Sequence, residues 1–293
     1  MATAQHKYLR PEDIRQLASY EFAAKALAEG YLSGRHRSRA RGASTEFHEY
    51  RQFVAGDDRA LIDWRAFARS DRLYLRTFEQ ETNLECHIFL DSSASMGFDP
   101  KAPSTKLDYA SFFAAALSYL VIHRGDRVSL QIFDQRIREF FPPGGTTRHL
   151  HGILGALEKN RPGEATSAAE ALKRSFPLLR RRGTLVVISD FFDDPAAIFS
   201  ALSPYLHRGF KVHLVHVLTP AEIKLPPRGL ATFVDMESGE RLVAHTDNLE
   251  AAYRRAMADH ISGLRTLAHR RGVSYLLAPT DTSYFAIFDH LMR

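Results

Sequence analysis

From residue 84 onward, short apolar runs alternate with longer stretches of helical periodicity. The runs are Leu84–Leu90, Val128–Phe133, Leu185–Ile188, Val212–Leu218 and Val273–Leu277. Each is continuous rather than strictly alternating, which predicts strands covered on both faces. Between and around them lie the helical stretches Leu107–His123, His149–Glu158, Ser167–Leu179, Pro195–Leu206 and Leu249–Arg271. Strands and helices in this order predict an α/β fold: a doubly wound, mainly parallel sheet with helices on both faces. Arg136–Phe141 reads as an antiparallel hairpin partner of Val128–Phe133. The stretch Ala221–His245 breaks the alternation. Leu225-Pro226-Pro227-Arg228-Gly229 reads as a loop. Thr232–Asp235 and Arg241–Val243 flank the turn Glu237-Ser238-Gly239-Glu240, so a small hairpin insertion is expected near 221–245.

The first 80 residues follow another pattern. Ile14, Leu17, Ala18, Phe22 and Ala26 recur at helical spacing across Pro11–Gly30, and Tyr31–Thr45 reads as an Arg-, Ser- and Gly-rich loop. Leu73–Phe78 alternates like a strand. The expected organisation is a prefix over 1–80 and an α/β domain over 81–293.

Composition changes this picture little. Hydrophobic residues make up 45% and charged residues 25%, as in ordinary globular proteins. Cys86 is the only cysteine, which rules out an intrachain disulfide, and its apolar strand makes it a core residue. The first ten residues lack the apolar run of a signal peptide, and no window approaches the ~20 apolar residues of a membrane helix. A cytoplasmic protein without a membrane partner is expected. The net charge of +5 is clustered, in Arg35–Arg41 and in Lys173–Arg182. Such runs are usually solvated or partner-facing strips, and no nucleic-acid-binding motif accompanies them.

Candidate chemistry begins where the first strand of the alternating region ends. Asp91, Ser93 and Ser95 place a carboxylate and two hydroxyls at alternate positions, the oxygen donors a hard divalent cation takes. In doubly wound sheets, ligands gather beyond the carboxyl ends of the strands. Asp190 ends the run Leu185–Ser189 at that same edge, and Thr166 stands before the helix that begins near Ser167. Alone, Thr166 is an ordinary helix N-cap and Asp190 an ordinary turn residue. Together, Asp91-x-Ser93-x-Ser95, Thr166 and Asp190 resemble the metal-ion-dependent adhesion site (MIDAS) of von Willebrand factor type A domains. The threonine loop departs from that pattern, because Glu164-Ala165 stands where the family has two glycines, which brings a carboxylate near the site.

A second resemblance covers most of the chain. Gly34-Arg35-His36-Arg37-Ser38, Phe47-His48-Glu49-Tyr50-Arg51 and Gly56-Asp57-Asp58-Arg59-x-x-Ile62-Asp63-Trp64 are similar to the domain of unknown function 58 family, as are Ala68-Arg69 and Arg76-x-Phe78-x-x-Glu81. That resemblance implies a von Willebrand A-like domain behind such a prefix. It also implies a MoxR-type AAA+ ATPase, or its client, as partner. The site would hold Mg2+, with Mn2+ or Ca2+ as alternatives, and Glu164, Asp57, Asp58 and Arg59 are candidate partner contacts. Metal-dependent docking of a partner's acidic residue is therefore expected, not turnover.

The residues also bear on two other readings. A metal-dependent phosphohydrolase would use a second aspartate two positions after Asp91, where Ser93 stands, and no phosphate-binding loop or nucleophile elbow is present. Nucleic-acid binding through Arg35–Arg41 is the other alternative. Arg124-Gly125-Asp126 reads as a turn, and Gly144-Gly145-Thr146-Thr147 as a turn capping the helix at His149. His149, His151, His213 and His216 are given structural or surface roles, and Trp64 is expected to anchor a core.

Overall fold

The computed structural model describes residues 6–20, 46–52, 62–64, 66–67, 72–79, 85–98, 104–163, 167–225, 229–236 and 239–291. The chain divides into two compact units, residues 1–34 with 84–293, and residues 35–83. The expected 1–80 prefix is thus split. Its first helix, α1 (Pro11–Leu17), belongs with the larger unit, where Tyr8, Leu9 and Leu17 are buried with Leu107, Phe113 and Phe288. A short 3-10 turn, Ala18–Tyr20, follows α1, and the rest of the expected Pro11–Gly30 helix lies outside the described residues.

In the smaller unit, β1 (Glu46–Gln52) and β2 (Tyr74–Glu79) form an antiparallel pair with a register shift between Phe47 and Glu49. The buried Asp63 takes part through its backbone, its N–H donating to the Tyr74 carbonyl at 2.9 Å. Trp64 is a correction: it is 62% exposed and touches Phe67 edge-on rather than anchoring a core. Aromatic character alone carried that expectation, and large side chains need no burial when their neighbours are few.

The larger unit is built on a six-stranded sheet in the order β10-β7-β6-β3-β4-β5. These strands are β3 (Glu85–Asp91), β4 (Arg127–Phe133), β5 (Ile137–Gly144), β6 (Thr184–Ser189), β7 (Lys211–Leu218) and β10 (Ser274–Pro279). All neighbours are parallel except β5, which returns antiparallel along β4 as an edge strand. The expected fold class is therefore borne out.

Successive side chains choose opposite faces, as the period of two requires. Cys86, Ile88 and Leu90 of β3, with Val186 and Ile188 of β6, join one core under α2 (Lys106–His123), α3 (Thr147–Lys159) and α8 (Phe285–Leu291). Phe89, Leu185 and Val187 join the other, under α4 (Ala168–Ser175), α5 (Pro195–Arg208) and α7 (Thr246–Arg270). The helix expected to run to Leu179 stops at Ser175 and tightens into a 3-10 turn, Phe176–Leu178. Pro177 lies there and lacks the N–H that an α-helix would use.

Between β7 and α7 stand a single helical turn, α6 (Pro220–Ile223), and the expected hairpin, β8 (Leu230–Val234) with β9 (Arg241–His245). Arg124-Gly125-Asp126 forms the expected turn, with Gly125 at φ +82°. Thr146 caps α3 by accepting from the His149 N–H at 3.1 Å, also as expected.

Gly183 is held to its identity by a close approach. A Cβ there would fall inside the van der Waals shell of the Glu85 carbonyl oxygen. Backbone cannot yield as a side-chain tip can, so Gly183→Ala is expected to cost about 1–3 kcal/mol of stability, read by urea denaturation.

Candidate metal-binding site

β3, the first strand of the large sheet in chain order, has β4 on one side and β6 on the other. The chain thus reverses its direction of growth between β3 and β6, and the crevice beyond their carboxyl ends is the topological switch point where ligands bind in such sheets. Asp91 is the last residue of β3 and Asp190 the first after β6, and both are fully buried. Sequence reasoning placed these two at one edge, and the structure brings them together.

Both oxygens of Asp91 are engaged. Oδ1 accepts from the Ser93 N–H at 2.9 Å, and Oδ2 accepts from the Ser189 hydroxyl at 2.6 Å. The Ser189 oxygen in turn accepts from the Phe191 N–H at 3.0 Å. Phe191 has φ +48°, a conformation that a bulky residue adopts only under constraint, directly after Asp190. The hydroxyls of Ser93 and Ser95 lie 3.0 Å apart, Ser93 buried and Ser95 half-buried. Burial pushes the Asp91 carboxyl up to about 7, the Asp190 charge adds to this, and the hydrogen bonds from Ser189 and Ser93 oppose it.

Sequence reasoning missed Lys106. It opens α2, is fully buried, and its ammonium donates to Asp190 Oδ2 at 2.7 Å and to Glu222 Oε1. Burial lowers its pKa, but the facing charges of Asp190 and Glu222 outweigh this and hold it above the ordinary value. One signal for it was legible: a lysine in the first helical turn opposes the helix dipole and needs a reason to be there. Glu222 sits in a capping box with Thr219 at the start of α6, and the Tyr253 hydroxyl of α7 donates to its carbonyl at 2.7 Å. The Phe192 ring lies 5.5 Å from the Lys106 nitrogen and stacks on His260.

Thr166 and Glu164 lie outside the described residues, as do Asp57, Asp58, Arg59 and the run Arg35–Arg41. The flanks of the 164–166 segment are at the site: the Gly163 N–H donates to the Ser92 carbonyl at 2.7 Å, and the Ala168 N–H to Asp193 Oδ2 at 2.6 Å. The expected structural reading of the strand histidines agrees with the geometry. His213 and His216 are buried in β7, and His216 Nδ1 lies 2.6 Å from the Tyr275 hydroxyl.

The donor set suits a hard divalent cation. Asp190 and Glu222 share the Lys106 ammonium, and the Asp190 charge also bears on Asp91. Asp190 Oδ1 is buried and has no hydrogen-bond partner among those residues. Oxygen ligands from carboxylates and hydroxyls favour Mg2+ or Ca2+ over softer metals. No cluster of three His, Cys, Asp or Glu able to hold a metal occurs among the described residues, so any cation here would rely on the serine hydroxyls.

A doubly wound α/β domain with an acid- and hydroxyl-lined switch point is the class of protein defined here. The chain belongs to the family described as protein of unknown function DUF58, whose model matches residues 49–263. It is 29% identical over 286 residues to the uncharacterized protein Rv1480 of Mycobacterium tuberculosis, covering 94% of this chain and 87% of that one. The conserved hypothetical protein BatB from Bacteroides thetaiotaomicron is similar in structure, with 18% identity and a TM-score of 0.47 over 71% of this chain and 97% of that one. The SpRpn10 VWA domain gives 9% identity and a TM-score of 0.45 over 71% and 94%. Among the described residues no helix is long and apolar enough to cross a membrane.

The Asp91 shift has a definite sign. Its folded pKa of about 7 exceeds the ordinary 3.8, so the folded chain binds this proton more tightly than the unfolded chain does. Its stabilising contribution is therefore full below 3.8 and lost as pH rises to about 7. In metal-free protein, thermal melts across that window should fall with pH, and Asp91→Asn should flatten the trend. Lys106→Met leaves Asp190 and Glu222 without their buried counter-charge and should cost roughly 3–5 kcal/mol in denaturant titration.

Proposed function

We propose that this chain is a metal-dependent protein-interaction module. It holds Mg2+ at the switch point through Ser93, Ser95, Asp91 and Asp190, with Thr166 completing the set, and docks an acidic residue of a partner there. The observation that carries this reading is the pair of buried carboxylates at adjacent strand ends: the Asp190 charge bears on Asp91, Lys106 answers Asp190 and Glu222, and Asp190 Oδ1 has no hydrogen-bond partner among the described residues. The bound ion would supply a positive centre to which a partner carboxylate attaches. The protein's own part is to orient the donors. Ser189 and the Ser93 N–H fix both oxygens of Asp91, and Lys106 turns Asp190 so that Oδ2 is taken and Oδ1 is left.

Docking rather than turnover fits this arrangement. A nucleophilic aspartate needs an oxygen free to attack, and both Asp91 oxygens already accept hydrogen bonds. The family resemblance supports a MoxR-type AAA+ ATPase or its client as the partner, with this chain as an adaptor in chaperone-like assembly.

Two measurements test this. Calorimetric titration with MgCl2 should show binding to the wild type that Asp91→Ala abolishes while the fold is kept. Capture of a co-expressed MoxR-type ATPase should then be lost with EDTA or with Asp91→Ala. Equal capture in all three conditions would sink the proposal.

A further inference from the structure

Among the described residues, large apolar side chains are exposed in one place above all. Among the described residues, Leu230, Val234, Met236, Leu242 and Val243 of the β8–β9 hairpin account for five of the eight large exposed hydrophobics, the others being Trp64, Leu178 and Phe192. The hairpin is a two-stranded sheet of its own, and isolated two-stranded ribbons are marginal in water.

Helix length says where it stands. α7 has 25 residues, roughly 37 Å, and it leads into β10, whose six residues span roughly 20 Å. Along α7, His260 stacks on Phe192, Tyr253 reaches the Glu222 carbonyl, and Thr246 pins the hairpin base by donating to the Gly229 carbonyl at 2.8 Å. The helix therefore runs past the carboxyl edge of the sheet and lifts the hairpin beyond it.

The two edges of this hairpin differ. β9 carries Arg241 and His245 at its ends, a common guard against pairing with another chain. β8 reads Leu230-Ala231-Thr232-Phe233-Val234, with no charge, proline or glycine. The backbone bonds Thr246→Gly229 and Asp235→Glu240 mark the hydrogen-bonded pairs of the hairpin. By alternation, the outward-pointing backbone groups of β8 belong to Leu230, Thr232 and Val234.

We infer that β8 is a self-docking edge that pairs antiparallel with β8 of a second copy about a twofold axis at Thr232. In that register Leu230 faces the second copy's Val234, Thr232 faces its own counterpart, and Ala231 faces Phe233. All three outward backbone positions find partners. Every cross-strand pair is apolar or Thr–Thr, the combinations that stabilise neighbouring strands. The same pairing on β9 would set Arg241 against His245. A second copy is thus the occupant the sequence of this edge fits, and the product is a four-stranded sheet, β9-β8-β8-β9. A five-residue pairing buries less than the ~1,200 Å2 of a stable complex, so the dimer is in exchange with monomer. Each dimer would carry two copies of the switch-point cluster.

Sedimentation velocity over a concentration series tests this on the full chain. A monomer–dimer equilibrium is expected, weakened several-fold by Thr232→Lys, which sets like charges opposite each other, with the thermal melt unchanged. Thr232→Cys gives an independent reading, because the single native Cys86 is buried. Mild oxidation should link Thr232→Cys into a dimer. Val243→Cys should stay unlinked, since the two copies would lie roughly 14 Å apart, three strand spacings. A chain that stays monomeric and unlinked overturns the inference. So does a dimer indifferent to Thr232→Lys.

Discussion

Two carboxylates buried at the ends of adjacent parallel strands constrain everything around them. Asp91 and Asp190 sit where the sheet reverses its growth, out of contact with water, and each would be costly there without compensation. Ser189 and the Ser93 N–H answer Asp91, and Lys106 answers Asp190. The lysine reaches further, to Glu222, and so fastens α6 to the end of β6 and to the start of α2. One ammonium thus joins three elements far apart in the chain.

This arrangement separates a tightly determined sheet from a less determined attachment. β3, β6 and β7 are covered by helices on both faces and bury nearly every residue. The β8–β9 hairpin grows from the segment that Glu222 fastens and stands on the overshooting end of α7, with exposed apolar side chains on both its strands. Its position at the same edge as the acidic cluster makes that edge the part of the molecule where chemistry and recognition meet.

The strands were legible because burial on both faces demands unbroken apolar runs, and the cap at Thr146 because the backbone N–H of a helix start needs an acceptor. Asp91, Ser93, Ser95 and Asp190 were legible as strand-end polar residues in a sheet of known winding. Trp64 was misjudged, since its aromatic character says nothing about how many neighbours surround it. The division of the first 80 residues was missed for a related reason. The apolar residues of α1 announce that something is buried, and not against which partner.

By itself the sequence determined the order of the elements, the faces they bury and the set of polar residues that leave the strand ends, because these follow from local periodicity. Only the tertiary structure decided that Lys106 and Glu222 join the cluster. They lie 84 residues before Asp190 and 32 after it, and nothing local links a lysine in a first helical turn to a glutamate in a capping box. Their meeting is dictated by charge: a buried carboxylate must find a counter-ion, and the fold determines which one is within reach.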